Sequence, residues 1–217
     1  MNVKLVFRYL IFVVGLLLTG IGIAMTIKSD IGSTPMSIVP LVLSSVIPVS
    51  FGTMNFIWSL SFVFGQMILL GKDFTKDQYF QFLVCALFGF FIDLGLFIFK
   101  DYVPYFYMEK LFVLLFGCIL LALGIYMQVM AKVIINPGEG IVRAIAYRAR
   151  IKFGNAKIYF DIGVLTLGVV LSVILLGRVV GVGVGEGTLI IALGTGSVVK
   201  VFKWLFEHLD LERLYES

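Results

Sequence analysis

From Tyr9 to Ile27 the chain runs through nineteen residues without a single charge. A helix of that length reaches roughly 28 Å at 1.5 Å per residue, close to the thickness of a bilayer's hydrocarbon core. Five more mostly apolar runs follow, at Met54–Gly71, Phe80–Phe99, Leu111–Ala131, Ile158–Gly177 and Val182–Phe206. Backbone groups in hydrocarbon must bond to each other, and a helix does this within one segment. Composition agrees. Sixty per cent of the 217 residues are apolar and 14% are charged, against about half and a quarter in soluble domains. An ordinary soluble enzyme, a nucleic-acid binder and a disordered chain are excluded. The expected fold class is an all-α polytopic membrane protein with six transmembrane helices, and the bilayer is its first partner.

The net charge of +4 therefore speaks of topology. With the N-terminus inside, the inner segments hold Lys4, Arg8, Lys72, Lys76, Lys132, Arg143, Arg148, Arg150, Lys152, Lys157, Lys200, Lys203 and Arg213. The outer ones hold only Lys28, Lys100, Lys110 and Arg178. Thirteen cations against four put both termini in the cytoplasm by the positive-inside rule. The basic, then apolar N-terminus reads as an uncleaved first span rather than a signal peptide. Cys85 and Cys118 fall within apolar runs and imply no disulfide framework.

The apolar pattern conceals a duplication. Shifted by 102 positions, Gly15, Leu18, Gly22, Ile23, Met25, Pro35, Phe51 and Gly52 fall on identical residues at 117, 120, 124, 125, 127, 137, 153 and 154. With four further residues inserted, Ile68-Leu69-Leu70-Gly71 matches Ile174-Leu175-Leu176-Gly177. The chain reads as a first three-span repeat over 1–104 and a second over 105–217. Three spans is an odd number, so the second repeat enters from the opposite side. The two are then inverted repeats, as in many secondary transporters.

Each repeat is interrupted after its first span. Asp30-Ile31-Gly32-Ser33-Thr34-Pro35 and Ile135-Asn136-Pro137-Gly138-Glu139-Gly140 each set a capping residue before a proline, which starts a helix. A short helix is expected after each break, ending near Phe51-Gly52 and Phe153-Gly154, with Thr53 and Asn155 capping the next span. Met36–Val49, with Pro40 and Pro48, reads as a kinked, membrane-embedded half helix. Its basic counterpart, with Arg143, Arg148, Arg150 and Lys152, reads as a helix lying along the cytoplasmic surface. Helix N-termini carry partial positive charge and free N–H groups. Gly32, Ser33, Thr34, Pro35, Asn136, Pro137, Gly138 and Glu139 are therefore candidates for a central polar site; interfacial turns are the alternative placement.

Ionisable residues inside spans are functional candidates by default. Asp93 lies near the middle of its span, Asp161 about one turn into the fifth, and Glu186 near the start of the sixth. Asp93 and Glu139 are candidates for carrying a coupling proton or binding a cationic group, with a structural pair or cap as the other role open to Asp93. Asn55, Ser59, Gln66 and Gln128 are the neutral polar residues in or beside spans, and interhelical hydrogen bonding suffices to explain them. No metal-ligand spacing, phosphate loop or nucleophile pairing is present, so neither a cofactor nor an enzyme is expected. Gly89 and Gly95 permit close helix contacts, including those of a homo-oligomer.

Three motifs, Gly32-Ser33-Thr34-Pro35, Asn136-Pro137-Gly138-Glu139-Gly140 and Gly185-Glu186-Gly187-Thr188, resemble those of the YczE-like, YitT-related bacterial membrane proteins. The resemblance covers nearly the whole chain and implies a multi-pass protein of the bacterial inner membrane. Asn136 stands where that pattern has its first glycine, and Gly138 where it has an arginine. The resemblance implies no substrate. The reading that follows is a secondary transporter or channel for a small polar solute, anionic or zwitterionic, bound between the repeats. A non-transporting membrane partner, such as a sensor or assembly factor, is the alternative, and an intramembrane enzyme the third reading.

Overall fold

The computed structural model describes residues 3–177 and 183–208. Among them the chain forms eight α-helices and no extended sheet: α1 (Val3–Lys28), α2 (Pro35–Val46), α3 (Phe51–Leu70), α4 (Gln81–Ile98), α5 (Tyr107–Ala131), α6 (Pro137–Ala149), α7 (Phe153–Leu176) and α8 (Glu186–His208). Two 3-10 turns, Gly71–Asp73 and Lys76–Phe80, join α3 to α4. Six helices are long and apolar enough to cross a membrane, and α2 is a shorter apolar helix. The chain is a polytopic membrane protein. Arg178, Val182 and Arg213 lie outside the described residues.

Helix ends differ from expectation in one instructive way. α2 stops at Val46, because Pro48 disfavours helical backbone in the residue before it. Phe51-Gly52 and Phe153-Gly154 accordingly begin the next spans instead of ending the short helices. Ser50 caps α3 by accepting from the Thr53 N–H, and Lys152 occupies the cap position of α7 without a side-chain bond. Gly52 has another use: a Cβ there would strike the Gly89 carbonyl oxygen, so the glycine lets α3 and α4 touch backbone to backbone. Gly89 and Gly95 are both spent inside the chain, the latter against Ala24 of α1.

α1 and α5 form the central pair and run antiparallel. A Cβ on Gly15 would lie 2.8 Å from the Gly124 carbonyl oxygen, and one on Gly22 2.8 Å from that of Gly117. Under the 102-residue shift Gly15 corresponds to Gly117 and Gly22 to Gly124. Each therefore meets the counterpart of the other, the reciprocity of a two-fold interface. The remaining contacts pair in the same way. α1 packs on α4 and α5 on α8; α2 packs on α7 and α6 on α3; α2 packs on α3 and α6 on α7. The short helix of each half thus lies against the second span of the other. α6 buries Ile141, Val142, Ala144 and Ala146 in this packing and leaves Arg143, Arg148 and Arg150 exposed. It is a packed helix with a basic outer face.

Candidate functional site

The second break is held by side-chain amides. α5 ends at Ala131, and Lys132 turns the chain with left-handed backbone at φ 50°. Asn136 then caps α6: its Oδ1 accepts from the Gly138 N–H at 3.1 Å. Its Nδ2 donates to Gln128 Oε1 at 3.2 Å. Gln128 in turn donates to Thr19 Oγ1 at 2.7 Å and to the Gly15 carbonyl at 3.3 Å. On the other flank, Gln66 Nε2 donates to the Pro137 carbonyl at 3.3 Å. Gln66 and Gln81 also exchange amide bonds, at 2.9 and 3.1 Å. Both are fully buried, and Thr19 and Gln128 nearly so. A neutral polar chain thus links α1, α5, α6, α3 and α4 around one break. An unmet polar group in such an interior is costly, and both amide hydrogens of Gln66 and of Gln128 are used.

The first break is held by the start of α8. The Gly187 N–H donates to the Ile31 carbonyl at 2.9 Å, and the Ser33 N–H to the Gly183 carbonyl at 3.0 Å. Gly32 sits at φ 149°, and a Cβ there would strike the Thr188 backbone nitrogen. Only glycine takes that conformation and that approach without strain. Ser33 Oγ lies 3.3 Å from Thr26 Oγ1, and Thr26 occupies the position equivalent to Gln128. Thr34 gives α2 no side-chain cap; its hydroxyl pairs instead with that of Ser37, at 2.6 Å. Pro35 is the first residue of α2, as Pro137 is of α6.

The two short helices approach at their N-terminal ends. The terminal methyl of Met36 would lie 2.9 Å from a Cβ on Gly138, and these two positions are equivalent under the repeat. Gly32, Ser33, Pro137 and Gly138 are buried, while Thr34, Pro35, Asn136 and Glu139 are half-buried.

The span carboxylates stand apart from this meeting point. Asp93 accepts from the Gly52 N–H at 2.7 Å and from the Ser50 hydroxyl, so both its oxygens serve the N-terminus of α3. Asp161 pairs with Lys157 at 2.6 Å, one turn away on α7. Glu186 is exposed in the first turn of α8 and accepts from the Tyr107 phenol. Glu109, in the first turn of α5, accepts at 2.8 Å from the phenol of Tyr102 in the preceding loop, and this acceptor pushes the phenol's pKa up. Among the described residues no three His, Cys, Asp or Glu side chains gather as metal ligands would. A cavity of about 320 Å³ lies elsewhere, between Met25, Lys28, Phe99, Tyr102, Phe112, Val113 and Phe116.

Gln81 and Thr19 went unremarked in the sequence. Gln81 is the first residue of α4, where a polar side chain reads as interfacial. Folding α3 against α4 as a hairpin would have set it beside Gln66. Thr19 lies at the centre of the α1–α5 crossing, between Gly15 and Gly22, where only a small polar residue leaves room for Gln128.

No curated protein and no solved structure matches the chain significantly. The model of a family of unknown function, DUF6198, matches residues 6–204, nearly the whole chain, and the protein belongs to that family.

Proposed function

We propose that the protein is a secondary transporter or channel that carries a small polar solute between its two inverted repeats, residues 1–104 and 105–217. One observation carries the reading. Each short helix leaves a backbone break, crosses to pack on the other half's second span, and starts where its counterpart starts, at Met36 and Gly138. Broken helices whose N-termini converge between inverted repeats are how many transporters build a midplane site. The site would comprise Gly32, Ser33, Thr34 and Pro35 with Asn136, Pro137, Gly138 and Glu139. The partial positive charge of two helix N-termini favours an anionic or zwitterionic solute. Asp93, already engaged at the end of α3, is not needed for binding. The positive-inside count places both termini in the cytoplasm. The resemblance of its motifs to those of the YczE-like proteins supports a bacterial inner membrane.

Cysteine substitution at Thr34 and Asn136, with labelling by a membrane-impermeant maleimide, tests this. The expected result is labelling at both sites that one class of small solute slows. Unhindered labelling of both that no solute slows would dispose of a central site. A thermal-shift screen of metabolites, repeated with Glu139→Gln, would identify the solute as one that stabilises the wild type but not the variant.

A second reading has an observation of its own. A Cβ on Gly140 would strike Gln66 Oε1, so the second break is packed shut. A closed core fits a membrane partner such as a sensor or assembly factor. In that case no metabolite shifts the melting temperature and the labelling sites stay closed.

A further inference from the structure

The inward face of α3 carries Asn55, Ser59, Phe62 and Gln66 at helical spacing, all buried, with Trp58 beside them. Gln66 has found its partners. Two donors on this face have none: Asn55 Nδ2 and Trp58 Nε1 are buried and meet no acceptor. Asn55 as a whole is only 5% exposed. They lie three residues apart, close to one turn of helix. Trp58 sits in the apolar cluster where four helices meet. This cluster contains Met36 of α2, Phe62 of α3, Ile141 and Val142 of α6, and Phe160 of α7. The indole stacks edge-on to Phe62 at 4.9 Å, and Phe62 to Phe160 at 5.5 Å. The same cluster therefore holds the methionine of the first turn of α2 that reaches Gly138, the second turn of α6, and an unsatisfied N–H.

A buried polar group without a partner is uncommon and calls for an explanation. What is missing here is an acceptor. A tryptophan N–H can only donate, and an ionised carboxylate can only accept. The converging N-termini of α2 and α6 add partial positive charge at the same cluster. We infer that Asn55 Nδ2 and Trp58 Nε1 bind a carboxylate group of the carried solute, beside the first turn of α2. This inference rests on reading the chain as a solute carrier, and it narrows that reading to carboxylate-bearing solutes.

The chain has two tryptophans, so Trp204→Phe makes Trp58 the sole indole reporter. The purified variant would be titrated with formate, acetate, lactate and succinate at constant ionic strength. Acetamide serves as the neutral counterpart of acetate, and chloride as a simple anion. The expected result is a saturable change in Trp58 emission with at least one carboxylate, and none with acetamide or chloride. In a thermal-shift titration that carboxylate should bind about tenfold or more weakly to Trp58→Phe, which keeps the ring and removes the N–H, and to Asn55→Leu. Should Asn55→Leu fail to fold, Trp58→Phe and Asn55→Ser decide. No response to any carboxylate overturns the inference, as does a response equally strong with acetamide. So does unchanged carboxylate affinity in both variants, the outcome if the two donors merely hold water. Labelling at Thr34 and Asn136 tests the carrier reading separately and can succeed where the carboxylate assignment fails.

Discussion

The reciprocal amide pair of Gln66 and Gln81 makes a sharp test of how the second break is held. Methionine matches glutamine in length and removes its polarity, so Gln66→Met and Gln81→Met take out one partner each with little change of shape. Gln81→Met removes two bonds, at 2.9 and 3.1 Å. It strands Gln66 Oε1 in a site with no exposure and leaves that side chain only its bond to the Pro137 carbonyl. Interhelical hydrogen bonds in membrane proteins couple by about 0.6 kcal/mol each on average and about 1.7 kcal/mol at most. Two bonds in one pair therefore predict a coupling energy of about 1–3 kcal/mol. Each single variant should lose about 2 kcal/mol, and the double variant distinctly less than the two losses together. The assay is a double-mutant cycle on unfolding in mixed micelles, with denaturing detergent as titrant and tryptophan emission as readout. Losses that add to within about 0.3 kcal/mol would refute the pair as a coupled unit, and with it the account of the closed break.

Other consequences are smaller but equally checkable. Gly22→Ala places a methyl 2.7 Å from the Leu121 nitrogen and 2.8 Å from the Gly117 carbonyl oxygen, so α1 and α5 must part by about 0.6 Å or more. The expected loss is about 1–3 kcal/mol, whereas Gly196→Ala, with nothing within 4 Å, should be neutral or gain up to about 1 kcal/mol in helix propensity; thermal unfolding of the two variants side by side decides. Asp93→Asn should lower stability by about 0.5–2 kcal/mol through the weakened α3 terminus and leave labelling of a cysteine at position 34 unchanged. Altered labelling there would return Asp93 to the list of working carboxylates.

How far the sequence carried the structure depends on how local each signal was. The six spans were legible because twenty apolar residues in a row admit few other fates. Both breaks were legible because a capping residue before a proline starts a helix wherever it stands. α1 begins at Val3, before Tyr9, and on it Arg8 donates to the Ala131 carbonyl at 2.8 Å, a contact 123 residues away. Reading Gly52 as a stop failed for a similar reason. Its small size answers to Gly89 and its N–H to Asp93, forty residues on, and Pro48 had already ended the helix. Asp93 itself looked like a buried charge in search of work, because its partners at Ser50 and Gly52 are neighbours only in the fold. The capping role open to it in the sequence is the one its bonds describe.

The repeat arithmetic leads to a prediction that neither half supports alone. Carried along the chain, the 102-residue shift pairs Gln66 with Gly168, Ile38 with Gly140, and Val39 with Ile141. In the fold, Gly140 packs on Gln66, and Gly168 packs on Ile38 with its Cβ position 2.5 Å from Cγ2. The same contact is thus made twice, with an amide hydrogen bond from Gln66 to the Pro137 carbonyl beside it at α6, and as van der Waals contact of Ile38 with Gly168 between α2 and α7. The two sites are equivalent in place and unequal in strength. If the halves rock about the α1–α5 crossing, parting Ile38 of α2 from Gly168 of α7 breaks only van der Waals contact, whereas parting α6 from α3 must break the bond from Gln66 to the Pro137 carbonyl in a dry interior. The α2–α7 side should therefore open more often, by the factor that one such bond of about 0.6–1.7 kcal/mol confers, roughly 3- to 20-fold. Val39→Cys and Ile141→Cys report on the equivalent positions, and both residues are buried at rest. A small maleimide should reach the first faster by that factor, and Gln66→Met with Gln81→Met should close most of the gap by accelerating the second. Equal rates in the unmodified background, or a gap that survives loss of the amide pair, would mean that the hydrogen bonds do not set the difference between the two ends.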